Sequence, residues 1–114
     1  MAFEMIAGDT RNIFVTITDK DGTAINLAQA STIRWWASRG NATAFSRTPA
    51  LQKDLVNGID DVSLVDGEFV VRVRSADTAN LNGSYYFEVE IVDAAGNVST
   101  PISDTFTVKR DLIR

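Results

Sequence analysis

The sequence contains no cysteine and no histidine. Without cysteine there is no disulfide framework, no thiolate nucleophile and no zinc site of the usual sulfur type. Without histidine there is no Ser-His or Cys-His pair and no imidazole metal ligand. These absences exclude many enzyme classes, and we expect neither catalysis nor a bound cofactor or metal.

Long apolar runs are also absent. No segment approaches the ~20 consecutive apolar residues of a membrane span, and the opening Met1-Ala2-Phe3-Glu4 lacks a basic region followed by an apolar run. The net charge is −4, whereas phosphate binding needs clustered Lys and Arg. We therefore expect no membrane partner, no nucleic-acid partner and no Sec export.

The residues that are abundant favour strands. Val, Ile and Thr make up 31 of the 114 residues, and all seven glycines stand beside an Asn or Asp, which is typical of tight turns. Apolar residues alternate with polar ones in 13–18, 69–74 and 85–91, the pattern of antiparallel strands with one buried face. The sequence predicts a single all-β domain over residues 1–114, an antiparallel β-sandwich of about seven strands.

The remaining segments are less sharply patterned. We predict further strands at 3–6, 31–38 and 104–109, and a loop or edge hairpin over 39–53, where Pro49 keeps its strand off the sheet interior. Residues 75–81 predict one short helical turn with Ser75 as its N-cap.

Three aromatic residues favour an immunoglobulin-like sandwich. Tyr85 opens a predicted strand, where a tyrosine hydroxyl can bond back to upstream backbone. Phe87 stands where antibody domains carry their second cysteine, and Trp35 lies on the strand where they bury a tryptophan. The alternative is that these residues form the core of another β fold.

Two acidic clusters resemble sites but are better explained as turns and loops. Asp19-Lys20-Asp21-Gly22 resembles the start of a calcium loop, yet Ala24 and Ala30 stand where an EF-hand needs Gly and Glu. An Asp-Gly hairpin turn explains this run. A glycosidase carboxylate pair needs a cleft and a raised pKa, so we interpret the following acids as a solvated loop: Asp60, Asp61, Asp66 and Glu68.

Charge and aromatic residues indicate a protein interface. Residues 23–53 hold no acid but four basic side chains, which predicts a positive surface suited to an acidic partner or a second copy of the chain. Trp36 must point away from the core, because its neighbour Trp35 points inward. It is a protein contact, a side chain covered by the 39–53 loop, or a platform for sugar stacking. The predicted interface comprises Arg34, Trp36, Arg39, Arg47, Leu112 and Ile113; the last two lie in a tail that either frays or packs on a neighbour.

A series of short motifs extends over nearly the whole chain. They are Gly8-Asp9-Thr10, Val15-Thr16-Ile17-Thr18-Asp19, Asp21-Gly22-Thr23, Ile25-Asn26-Leu27, Ile33-Arg34-Trp35, Asp66-Gly67-Glu68-Phe69-Val70-Val71, Ala76-Asp77-Thr78-Ala79-Asn80-Leu81, Gly83-Ser84-Tyr85-Tyr86-Phe87-Glu88-Val89 and Phe106-Thr107-Val108. In these motifs the sequence resembles the immunoglobulin-like domain of small structural proteins of tailed bacteriophages, including the N-terminal domain of baseplate upper proteins.

The resemblance implies a non-catalytic component of the virion, assembled in the host cytoplasm. It would act as a tail, baseplate or capsid accessory or decoration protein that docks on other virion proteins or on copies of itself. One rival function is a carbohydrate-binding module or adhesin, in which Trp36 and Tyr86 stack on host-surface sugars. Another is an accessory domain of a larger enzyme.

Overall fold

The structure is a computed structural model that describes residues 3–113. These residues form eight strands, a short α-helix and a 3₁₀ turn at Leu64–Asp66. The strands are β1 Phe3–Ile6, β2 Arg11–Thr16, β3 Thr32–Arg39, β4 Leu51–Asp54, β5 Ile59–Ser63, β6 Glu68–Val73, β7 Gly83–Val92 and β8 Val98–Lys109, and the helix is α1 Ser75–Thr78.

Two sheets pack face to face. One has the strand order β1-β8-β7-β3-β4 and the other β2-β6-β5. In the larger sheet β7 lies between β3 and β8, as strand F lies between C and G in immunoglobulin-like sandwiches. The predicted all-β sandwich is confirmed.

The eight strands of residues 3–113 agree with the predicted number of about seven. Two details of the prediction are wrong. The last strand begins at Val98 rather than at residue 104. The sandwich is not wholly antiparallel, because β1 pairs in parallel with β8. The next strand along the chain, β2, belongs to the other sheet, so β1 takes its partner from the far end of the sequence instead of forming a hairpin.

The helical turn forms where it is expected, but with a different cap. Arg74 occupies the N-cap position, and Ser75 is the first helical residue. The Asp77 carboxylate accepts a hydrogen bond from the Arg74 backbone N–H at 2.7 Å, so the turn is closed by an acid inside it rather than by the predicted Ser75.

The core lies between the sheets and follows the predicted alternation. The inward positions of β3, β6 and β7 are buried, and Trp35 has no solvent exposure. An aromatic cluster fills one part of this core, with ring centroids 4.9–6.1 Å apart. Its members are Phe3, Trp35, Tyr85, Phe87 and Phe106.

Two polar contacts fix the strand connections. The Tyr85 hydroxyl donates to the Asn82 carbonyl at 3.2 Å, which confirms the predicted bond to upstream backbone. On β4, Lys53 points inward and is only 6% exposed. Its Nζ lies 2.7 Å from Asp77 Oδ2, so this ion pair ties the edge of the larger sheet to α1.

The outermost strands of the larger sheet, β1 and β4, have four residues each. Beside β1, Arg11 Nη1 donates to the Glu4 carbonyl at 3.1 Å, and the guanidinium lies 4.6 Å from the centre of the Phe3 ring. Across residues 3–113, no helix is long and apolar enough to cross a membrane.

Candidate functional site

The outer face of the larger sheet carries the predicted tryptophan. In the register between β3 and β7, Trp36 lies opposite Glu88 and Arg34 lies opposite Glu90. Directly opposed residues project from the same face of an antiparallel pair. Arg34 Nη1 contacts Glu90 Oε1 at 3.3 Å, and its guanidinium lies 5.7 Å from the centre of the Trp36 ring. Trp36 itself remains 40% exposed.

The loop between β3 and β4 folds back beside this face. Its base is closed by two backbone hydrogen bonds, from Gly40 N to Ser84 O at 3.0 Å and from Ser46 N to Arg39 O at 2.8 Å. Phe45, held in this loop, stacks on Tyr86 with ring centroids 4.5 Å apart. The loop therefore covers Tyr86 and leaves Trp36 partly open.

Gly40 allows this tight reversal. Its φ is +131°, a value that residues with a Cβ rarely adopt, and a Cβ placed there would overlap the Ala44 carbonyl oxygen and the Phe45 backbone.

Between the loop and Trp36 lies a cleft of about 270 Å³, which we call the Trp36 cleft. Its lining combines aromatic rings, two carboxylates from β7 and an arginine from the loop. The residues are Trp36, Ala37, Ser38, Phe45, Ser46, Arg47, Pro49, Tyr86, Glu88 and Glu90.

The Tyr86 hydroxyl donates a hydrogen bond to Glu88 Oε2 at 2.7 Å in this cleft. Burial raises the pKa of Tyr86, and the hydrogen bond to Glu88 and the charge of that carboxylate raise it further, against a smaller lowering by Ser103. Tyr86 therefore stays neutral near pH 7.

The predicted positive surface is wrong. Glu90 on β7 pairs with Arg34, and Lys53 is buried against Asp77. The acids come from strands that are distant in sequence but adjacent in the sheet, so a basic stretch of sequence does not produce a basic surface. What results is a mixed-charge surface around Trp36.

The structure brings together three of the six predicted interface residues. Arg34, Trp36 and Arg47 lie on or beside the Trp36 cleft. Arg39 is separate, because its position in β3 has the inward parity of Trp35. At the end of the strand it donates to the Tyr85 hydroxyl at 3.0 Å.

Leu112 and Ile113 lie beyond β8, 100% and 90% exposed. The preceding Arg110 and Asp111 line a cavity of about 340 Å³ at the end of the sandwich. Asp111 Oδ1 accepts a hydrogen bond from Ile113 N at 2.7 Å, so the tail makes a local turn that projects Leu112 into solvent.

Sequence reasoning missed Phe45, Glu88 and Glu90 as members of the site. Alternation in β7 does place both acids on the outer face. What one sequence does not reveal is the register that sets them against β3. Nothing in the poorly patterned loop identified Phe45 as the ring that covers Tyr86.

The prediction that Trp36 and Tyr86 form a pair of exposed rings for sugar stacking is also wrong. Tyr86 is buried, because Phe45 stacks over it. Only Trp36 of the two presents a ring to solvent.

Carboxylates of the two acidic clusters form hydrogen bonds and an ion pair with nearby residues. Asp19 Oδ1 accepts from the backbone N–H groups of Asp21 and Thr23, which is the geometry of a turn. Asp60 and Asp61 belong to β5 rather than to a loop, and Asp60 pairs with Arg72 on the neighbouring strand. Within residues 3–113, no group of three or more acidic side chains is arranged to hold a metal ion.

A second apolar area lies on the outer face of the smaller sheet. Phe14 is 68% exposed there. It lines a shallow depression of about 100 Å³ together with Val62. This surface is on the opposite side of the sandwich from the Trp36 cleft, because the two sheets present their outer faces in opposite directions.

No protein-family model matches this chain, and no curated protein matches it in sequence.

Proposed function

We propose that this chain is a non-catalytic structural domain that works by docking on other proteins through the Trp36 cleft. The observation that carries the proposal is the exposed Trp36 ring, which lies between the Arg34 guanidinium and a loop wall on the outer face of the larger sheet. Tryptophan and arginine are the residues most enriched at the energetic centres of protein interfaces.

The mixed charge around Trp36 supports a protein partner. Arg34 and Glu90 already pair with each other, while Arg47 and Glu88 lie on the same cleft. A rim with both signs of charge gives orientation and specificity to a complementary protein surface. The partner is therefore selected by the pattern of charges rather than by net charge.

The sequence resemblance supplies the biological setting of the proposal. We propose that the domain is an accessory or decoration component of a tailed-bacteriophage particle, in its tail, baseplate or capsid. A disulfide-free sandwich suits assembly in a reducing cytoplasm.

Replacing Trp36 tests this function. In cells that assemble the particle, we expect Trp36→Ala to leave the domain folded, because the side chain lies outside the core, and to reduce its incorporation into purified particles about tenfold or more. The measurement is the amount of domain that sediments with the particles, together with the melting temperature of the isolated variant.

Phe14→Ala is the matched control, since it removes an exposed aromatic ring from the other face. It should be incorporated like the wild type. Normal incorporation of Trp36→Ala would rule out the Trp36 cleft as the docking surface.

A further inference from the structure

We propose that residues 110–113 of one copy of this chain occupy the Trp36 cleft of a second copy, so that copies associate head to tail. This proposal rests on the docking function of the cleft and names its occupant. The structure holds a partly apolar cleft on one face and a projecting apolar segment at one end, and the two are complementary in size and charge.

The tail offers two aliphatic side chains that the rest of its own chain leaves uncovered. Leu112 and Ile113 are the last residues that the structure describes, and both are almost wholly exposed. The Asp111 turn holds them in a defined shape before any partner arrives. Such preorganisation lowers the ordering cost of binding.

The cleft has matching dimensions. Its volume of about 270 Å³ is enough for a short aliphatic segment but not for a folded element. Trp36 and Phe45 provide apolar walls for Leu112 and Ile113.

The charges are also complementary. Lys109 pairs with Glu4 of its own chain, so Arg110 is the basic side chain that the tail brings to the cleft. In the cleft, Glu88 accepts a hydrogen bond from the neutral Tyr86 hydroxyl. When the tail binds with its aliphatic side chains against Trp36, its basic side chain therefore lies near the Glu88 carboxylate at the floor of the cleft. Arg47 on the loop gives the opposite rim a positive charge, which disfavours a purely basic ligand.

In the structure the tail does not lie in the cleft of its own chain, since Leu112 and Ile113 are almost wholly exposed. Tyr86 on the cleft floor pairs with Thr105, four positions before Lys109, and so lies about 13 Å back along β8 and one strand to the side. The chain leaves β8 in the direction away from the cleft, so Ile113, which spans at most about 14 Å from Lys109, would have to reverse direction completely to return to it. A second copy can present the same segment without that reversal.

The two surfaces lie on different parts of the molecule, so the contact is heterologous. Heterologous contacts close into rings or continue as open chains. A copy with a defective tail and a copy with a defective cleft would each lack one half of the contact, yet together they would form a single complete one.

This complementation is the test. The full chain, a tail variant carrying Leu112→Asp and Ile113→Asp, and a cleft variant carrying Trp36→Ala are compared by sedimentation velocity between about 10 µM and about 1 mM, the range of weak interfaces. We expect the mean mass of the wild type to rise with concentration. Each variant alone should associate at least about tenfold more weakly than the wild type. The equimolar mixture should form a two-chain species and nothing larger.

Phe14→Ala serves again as the control and should associate like the wild type. A wild type that stays monomeric throughout this range would overturn the proposal, and so would a mixture that forms no two-chain species. The particle experiment separates this failure from that of the docking function. If Trp36→Ala still loses incorporation while the wild type is monomeric, the cleft docks on a different protein. If incorporation is also normal, both proposals fail.

Discussion

Trp35 is the largest of the fully buried side chains in the described residues. It has no solvent exposure, and its ring lies 5.4 Å from Phe87 and 6.0 Å from Phe106, between centroids. Among residues 3–113, its Nε1–H has no hydrogen-bond partner, so the side chain stabilises the fold through its apolar surface and ring contacts alone.

We expect Trp35→Ala to lower the free energy of unfolding by about 3–5 kcal/mol, because it leaves a cavity in a disulfide-free core. Trp35→Phe should cost clearly less, since it keeps an aromatic ring and removes the unpaired N–H. Urea denaturation of the two variants measures both values. A loss below about 1 kcal/mol for Trp35→Ala would contradict the central position of this ring.

A second important contact between single residues is the ion pair of Lys53 with Asp77, which the sequence did not predict. Hydropathy places a lysine in solvent, and the two partners are 24 positions apart in sequence. Only the pairing of β4 with β3 turns Lys53 inward, toward the helix that follows β6.

The ion pair makes stability depend on pH. Burial raises the pKa of Asp77, but the hydrogen bonds from Lys53 and Arg74 and the charges of both residues outweigh it, so the pKa lies below its ordinary value of 3.8. Because the pKa is depressed in the folded state, the stabilisation is complete above pH 3.8 and is lost as the pH falls through the folded-state pKa.

Two substitutions test this pair. Asp77→Asn should destabilise the protein strongly, by about 3–5 kcal/mol at pH 7, because it leaves the buried Lys53 ammonium without a counter-charge. Lys53→Met should cost less, since Asp77 is more exposed and keeps its bond to the Arg74 amide. Thermal melts from pH 7 to pH 3 should show a weaker acid dependence in Lys53→Met than in the wild type. An unchanged acid dependence would show that Lys53 does not set the pKa of Asp77.

At the scale of elements, the loop from Gly40 to Ala50 determines whether the Trp36 cleft exists. The loop turns back toward the sheet at Gly40, where the backbone adopts a positive φ. Among the described residues, Phe45 is the only ring of the loop that stacks on the sheet, and it does so on Tyr86. The strands beneath it pair along their whole length and do not need the loop. The cleft is therefore less stable than the sheet that carries it.

We expect Gly40→Ala to open this loop. The substitution combines an unfavourable φ with overlap of the new Cβ and the Ala44 carbonyl, at a cost of about 1–3 kcal/mol that displacement of the loop would relieve. Hydrogen exchange should accelerate at 40–46 and stay unchanged in β7. Gly22→Ala is the control, because its φ is also positive but its surroundings are open. Equal protection of the loop in both variants would contradict this account.

Prediction from the sequence succeeded best for individual strands. Alternation identified β2, β6 and β7 and their buried faces, because a residue's side of a strand depends only on its parity. It did not identify the parallel partner of β1 or the acids opposite Arg34. Those depend on register and sheet order, which one sequence does not encode locally.

At the scale of the whole molecule, the two ends of the described chain contribute very differently to stability. Phe3 stacks on Phe106 with centroids 4.9 Å apart and Met5 is buried, whereas Leu112 and Ile113 contact no core residue. We expect removal of residues 112–114 to leave the melting temperature within about 2 °C of the wild type, and removal of residues 1–6 to lower it by about 10 °C or more. Calorimetry measures both. A large loss on removing the tail would show that it packs on its own domain.

The short strands at both margins of the larger sheet have a consequence for crowded conditions. An unprotected edge invites the backbone of a neighbour to continue the sheet, which is the first step toward amyloid. Here the β1 margin is only four residues long and its Glu4 carbonyl is already engaged by Arg11, and the β4 margin is equally brief. These two margins therefore offer a neighbouring copy little backbone on which to extend the larger sheet.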